Sequence, residues 1–225
     1  MQKPLLFTLC LLVSSLSHAG SYVVGVENID YYPIYAKRDG KYAGFARELL
    51  DIFAKQTGHT FTYKPLPIKR LFDSFLNEKV DFKFPDNAYW NQDAKQSKNV
   101  VYSDPVLEYI DGVFVLPEKL NAGKATLKKL GVVRGFTAWE YLGDAEAGAL
   151  SISENNSLDG LMNQAKNARI DGAYFNISVA RYFLETAKQE KGMLVFDASL
   201  PHTRSNYHLS TIKHAKVLDS FNTFL

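Results

Sequence analysis

Short apolar runs of strand length alternate with amphipathic stretches of helical spacing from Tyr22 to Phe224, and no long linker, repeat or low-complexity tract interrupts them. This alternation constrains the fold more than any other feature, because strand–helix units bury the faces of a largely parallel sheet and so build an α/β architecture. Residues 22–26 read as a strand, and residues 28–40 as a turn-rich loop with Pro33 and Asp39-Gly40. Residues 45–55 read as a helix striped by Phe45, Leu49, Ile52 and Phe53, with Gly58 as its stop. Strands follow at 60–64, 80–84 and 112–116, and a helix at 67–77 carries Leu71, Phe72, Phe75 and Leu76 on one face. The second half repeats the grammar. Strands are expected at 130–133, 149–152, 172–175, 193–196 and 207–211, and helices at 137–142, 158–168, 177–187 and 213–224.

The chain opens with Lys3, an apolar run from Leu5 to Leu16 and the small-residue pattern Ser17-His18-Ala19. A run of ~12 apolar residues is too short to span a bilayer and has the length of a signal-peptide core, so residues 1–19 read as a leader cleaved near Ala19 and the mature protein as periplasmic. Leu9 before Cys10 is too bulky for a lipoprotein signal. Cys10 is the single cysteine, so the mature chain forms no internal disulfide. Loss of residues 1–19 removes Lys3 and no acid, and the formal charge falls from +2 to +1. Such a balance gives no electrostatic case for nucleic acid or an anionic membrane surface as partner.

Several short motifs recur in a fixed order: Tyr32-Pro33, Gly44-Phe45, Glu48-Leu49, a helix end at Asn77-Glu78-Lys79-Val80-Asp81, Tyr102-Ser103-Asp104-Pro105, Gly135-Phe136-Thr137, and Ala168-Arg169-Ile170-Asp171. In order and spacing the chain resembles the periplasmic solute-binding proteins of family 3, which serve polar amino acid importers of the ABC type. The resemblance implies a two-lobed (type II) periplasmic-binding-protein fold with a central mixed sheet in each lobe. Lobe 1 is expected over 21–105 plus 205–225, lobe 2 over 111–200, and a two-segment hinge at 106–110 and 201–204. It also implies a monomeric receptor for a small-molecule ligand that docks on an inner-membrane permease, or on a sensory receptor. No cofactor or metal is implied. Family members continue past the helix that here ends the chain at Leu225.

The departures bear on the ligand. Where the family's amino acid binders place an arginine for the ligand carboxylate, this chain has Gln96; where they place an aspartate for the ammonium, it has Asn176. An amide cannot replace the two-pronged guanidinium. The expected ligand is therefore a small polar solute, either amino-acid-like or anionic. Candidate contacts are Tyr31 and Tyr32 after the first strand; Arg70 at the start of a helix, as an anion holder; and Asp86, Asn87 and Trp90 on a loop at the carboxyl end of a strand. Arg134, Phe136 and Thr137 form a further group, in which Thr137 and Glu140 have capping-box spacing and so predict an anion-friendly helix start. Tyr174 and Asn176 are expected to face the cleft by strand alternation, with Phe175 on the other side.

No nucleophile-elbow, dinucleotide or P-loop motif occurs, and His202, His208 and His214 lack zinc-site spacing, so the reading is a binding protein without catalysis. The same resemblance leaves two alternatives: a cyclohexadienyl-dehydratase-like lyase with Asp86 or Glu27 as general acid or base, and a sensory ligand-binding protein.

Overall fold

The computed structural model describes residues 19–186 and 192–225. The expected leader lies outside the described residues apart from Ala19, as does Ala187 at the end of one expected helix. The first half contains β1 (Ser21–Glu27), β2 (Ala36–Arg38), β3 (Lys41–Ala43), α1 (Phe45–Thr57), β4 (Thr60–Leu66), α2 (Ile68–Leu76), β5 (Phe82–Asp86), α3 (Gln92–Lys95) and β6 (Val101–Tyr102). A long strand, β7 (Leu107–Val115), leads into β8 (Lys129–Val133), α4 (Leu142–Glu146), β9 (Ser151–Asn155), α5 (Leu158–Lys166), β10 (Gly172–Asn176), α6 (Ile177–Thr186) and β11 (Val195–Phe196). The chain closes with β12 (Thr203–Thr211) and α7 (Ala215–Phe224).

The strands run in the order β4-β1-β5-β12-β7-β10-β8-β9. β1 is parallel to both β4 and β5, and β8 is parallel to both β9 and β10. These two parallel units, the first and the second, are joined through the antiparallel pair of β12 and β7. β12 serves both sides: Thr203 to Tyr207 pair with β7, and from His208 the strand pairs with β5 across a register shift. Residues 107–110 and 203–204, expected as crossing segments, therefore lie within paired strands.

Two helices depart from the expected spacing: the one expected at 137–142 lies at Leu142–Glu146, and α1 buries a rotated face. On α1 the buried residues are Ala46, Leu50, Phe53 and Ala54, while Phe45 and Ile52 are exposed. Ala46, Leu50, Phe53 and Ala54 satisfy the i, i+4, i+7, i+8 pattern as well as the expected stripe does, and small alanines permit the closer approach. Gly58, in the left-handed region at φ 74°, ends this helix. On α2 Leu71, Phe72 and Phe75 are buried as the periodicity requires. Leu218 and Phe221 of α7 are buried, and the Phe221 ring meets Phe53 of α1 at 5.1 Å.

Candidate functional site

A cavity of about 670 Å³ opens between loops of the two parallel units. The first unit contributes Glu27, the loop residues Tyr31 and Tyr35, the first turns of α2 (Ile68, Lys69, Phe72, Asp73), and Trp90 with Asn91. The second unit contributes Gly135, Phe136, Thr137 and Trp139, from the segment after β8. Tyr109 and Asp111 of β7, with Thr203 and Tyr207 of β12, complete the wall. This size suits a small molecule, and the position between structural units is where such sites concentrate.

Aromatic side chains are the largest class in the wall. Tyr31 stacks on Phe136 at 5.7 Å between ring centres, a contact that joins the two units. Phe175 of β10 packs against both rings, at 5.3 and 4.9 Å. Tyr109 stacks on Tyr207 at 4.4 Å, and Trp90 lies about 6 Å from each. The Tyr31 and Tyr207 hydroxyls are 2.9 Å apart, and burial holds both phenols well above their ordinary range of ionisation. Both tryptophans of the chain, Trp90 and Trp139, face this one cavity.

The charged groups of the wall are three acids, Glu27, Asp73 and Asp111, and one cation, Lys69. Glu27 is buried and accepts a 2.6 Å hydrogen bond from the Tyr35 hydroxyl. Burial raises its pKa above the usual carboxylate value, against the opposing charge of Lys83. Asp111 sits opposite Asn176 and Thr203 in the sheet, and its Oδ1 accepts from the Asn176 amide at 3.2 Å. Its Oδ2 has no hydrogen-bond partner among the described residues. Burial pushes Asp111 up to about 7, and the charges of Glu140 and Glu27 act in the same sense against the Asn176 hydrogen bond. Glu140 stands behind this group, accepting from the hydroxyls of Thr203 and Tyr174.

Of the residues expected to touch a ligand, Tyr31, Trp90, Phe136 and Thr137 line the cavity. The others lie elsewhere. Tyr32 packs on Tyr182 at 4.9 Å in a separate depression. Arg70 is exposed beside the cavity-lining Lys69 and is outside the wall. Arg134 is exposed and paired with Glu154 at 3.2 Å. Asp86 is fully buried: Lys83 and Lys95 reach its Oδ1 at 3.1 and 2.8 Å, and Ser210 donates to its Oδ2 at 2.6 Å. Burial alone would raise its pKa, but the two ammonium groups outweigh it and the net shift is downward. Asn87 is taken up by Ser205, the Asn206 carbonyl and the Tyr89 amide.

Two expectations for the second unit are corrected. Tyr174 packs against Tyr141, away from the cavity, and Asn176 spends its amide on Asp111 and on the Val179 amide at the start of α6. The ring that meets the cavity aromatics is Phe175, because the pleat carries it toward Tyr31. No capping box forms at Thr137. The helix begins only at Leu142, after a single turn at Trp139–Tyr141, and the Glu140 carboxylate is engaged by Thr203 and Tyr174.

Among the wall residues that the candidate ligand contacts omit are Glu27, Tyr35, Tyr109, Asp111, Thr203 and Tyr207. Asp111 did carry a signal: it is an acid inside the otherwise apolar run Ile110-Asp111-Gly112-Val113-Phe114-Val115, and buried acids are rare without a partner or a task.

Residues 22–177 match the family of bacterial extracellular solute-binding proteins, family 3. The chain belongs to that family. Among curated proteins none matches significantly. Solved structures of similar fold include the arginine-bound form of ArgBP from T. maritima, at 18% identity over 91% of this chain and 94% of that one, with a TM-score of 0.69. The arginine-, lysine-, histidine-binding protein ArtJ from Geobacillus stearothermophilus aligns at 18% identity over 90% of this chain and 87% of its own, with a TM-score of 0.69. The periplasmic VFT2 domain of Bordetella pertussis BvgS aligns at 17% identity over 90% and 85% of the two chains, with a TM-score of 0.68. This family-3 protein thus has the two-lobed α/β fold of periplasmic binding proteins. Among the described residues no helix is long and apolar enough to cross a membrane, and no group of His, Cys, Asp and Glu could hold a metal ion.

Proposed function

We propose that the protein is a periplasmic receptor that captures a small polar solute between two lobes and delivers it to the permease of an ABC-type importer. One observation carries this reading: a ligand-sized cavity walled from both parallel units, in a chain of the solute-binding family. In this reading, lobe 1 comprises residues 21–105 and 205–225, lobe 2 comprises residues 111–200, and β7 and β12 carry the hinge. A solute that contacts both lobes favours the closed form by its differential affinity for it. In this reading the solute leaves unchanged. Of the two candidate acids for a lyase, Asp86 is saturated by two lysines and a serine, and Glu27 lines the cavity with its carboxylate bonded to the Tyr35 hydroxyl.

The test uses the mature protein, residues 20–225, with fractionated small-molecule bacterial extracts. A binding fraction raises the melting temperature with dose, shrinks the radius of gyration in X-ray scattering, and returns its solute chemically intact by mass spectrometry. If no fraction moves either quantity, the receptor reading fails.

A further inference from the structure

The charges around the cavity narrow the solute class further, given the receptor reading above. Lys83 and Lys95, the two buried lysines beside the wall, are committed to Asp86, and Lys83 also donates to the Pro85 carbonyl at 2.6 Å. Arg70 and Arg134 are outside the wall. Lys69 is the single cationic residue that lines the cavity, and it is exposed; of the three acids that line it, Glu27 is buried, Asp111 half-buried and Asp73 exposed. An incoming carboxylate would meet three acids to one cation and find no buried guanidinium or ammonium free to hold it.

Asp111 has one amide partner, no ion pair among the described residues, and an open oxygen. A carboxylate in that position is costly until a counter-charge arrives. Its charge reaches the hydroxyls of Tyr31 and Tyr207, whose oxygens can accept from an ammonium group. The ring faces of Tyr31 are stacked on Tyr35 and Phe136, and Tyr207 on Tyr109, so these rings supply an apolar aromatic wall beside the carboxylate. We infer that the solute is an organic cation without a carboxylate of its own, an amine or quaternary ammonium compound whose charged group sits between Asp111 and the rings of Tyr31, Tyr109, Phe136 and Tyr207.

Chemically matched probes test this. Tyramine, tyrosine and 3-(4-hydroxyphenyl)propionate share a 4-hydroxyphenethyl group that carries an ammonium, both charges or a carboxylate; cadaverine and lysine form an aliphatic pair, and choline represents quaternary ammonium. Calorimetry and thermal shift on residues 20–225 should show at least one of tyramine, cadaverine or choline binding at least tenfold more tightly than its carboxylate-bearing counterpart (for choline, glycine betaine). The D111N variant should lose at least tenfold in affinity for that cation while its melting temperature at pH 8 stays level or rises. If Asp111 serves only to steady Asn176, D111N lowers the melting temperature and leaves the preference between matched probes unchanged, which overturns the inference. Tighter binding of a carboxylate-bearing probe also overturns it. So does an extract fraction that binds when no cation does, and that outcome leaves the receptor reading standing. Silence of both the cations and the extracts defeats both readings.

Discussion

Asp86 is fully buried and Asp111 half-buried, and their surroundings drive them in opposite directions. Two lysines hold Asp86 ionised below the ordinary carboxylate range, whereas desolvation lifts Asp111 to about 7. For Asp86 the unfolded chain is the better proton binder, so its stabilisation is present above pH ~4 and disappears as the pH falls through its lower folded value. For Asp111 the folded chain is the better proton binder between pH ~4 and about 7, so its contribution worsens as the pH rises across that window. Thermal denaturation from pH 3 to pH 8 should separate the two. The D86N variant, which leaves two lysines buried without their carboxylate, should lose about 3–5 kcal/mol at pH 7, and at about 2–4 °C per kcal/mol its melting temperature should fall visibly. The D111N variant should gain on the wild type as the pH rises from 4 to 8. A constant gap between D111N and the wild type would show that Asp111 is not titrating as its surroundings require.

The alternation of strands and helices is legible in the chain because each amphipathic stretch has a face to bury, and α2 buries the face its spacing announces. What is not legible is which of two neighbouring stripes wins. On α1 the expected stripe and the observed one differ by a rotation that only the tertiary partner decides. The short hairpin of β2 and β3 escapes notice for a similar reason, since three-residue strands are too brief for a period to show. The candidate site divides along the same line. Tyr31, Trp90, Phe136 and Thr137 follow strands of the two units and are found by that rule. Asp111, Thr203 and Tyr207 enter through the register of β7 against β12, a pairing between segments far apart in the chain that no local pattern specifies. At the level of the elements, α7 tests how the last helix is fastened. Its Phe221 is fully buried against Phe53 of α1. Phe221→Ala should cost about 3–5 kcal/mol in urea denaturation, and a cost below about 1 kcal/mol would mean that α7 is not docked as described.

The molecule as a whole is two parallel three-stranded units held by one antiparallel pair, with its cavity over that junction. If the units close on a solute as proposed, the loops gain protection while the junction keeps what it has. Hydrogen exchange with a bound ligand should slow the amides of residues 135–139 and 90–91 and leave those paired between β7 and β12 unchanged. Exchange that slows at the junction alone would place the movement elsewhere. The positions of Trp90 and Trp139 have a practical consequence. Because both indoles of the chain border the cavity, all of the tryptophan emission originates at the site. The protein is its own dye, and a solute that displaces water from either ring can be titrated by fluorescence with no label attached.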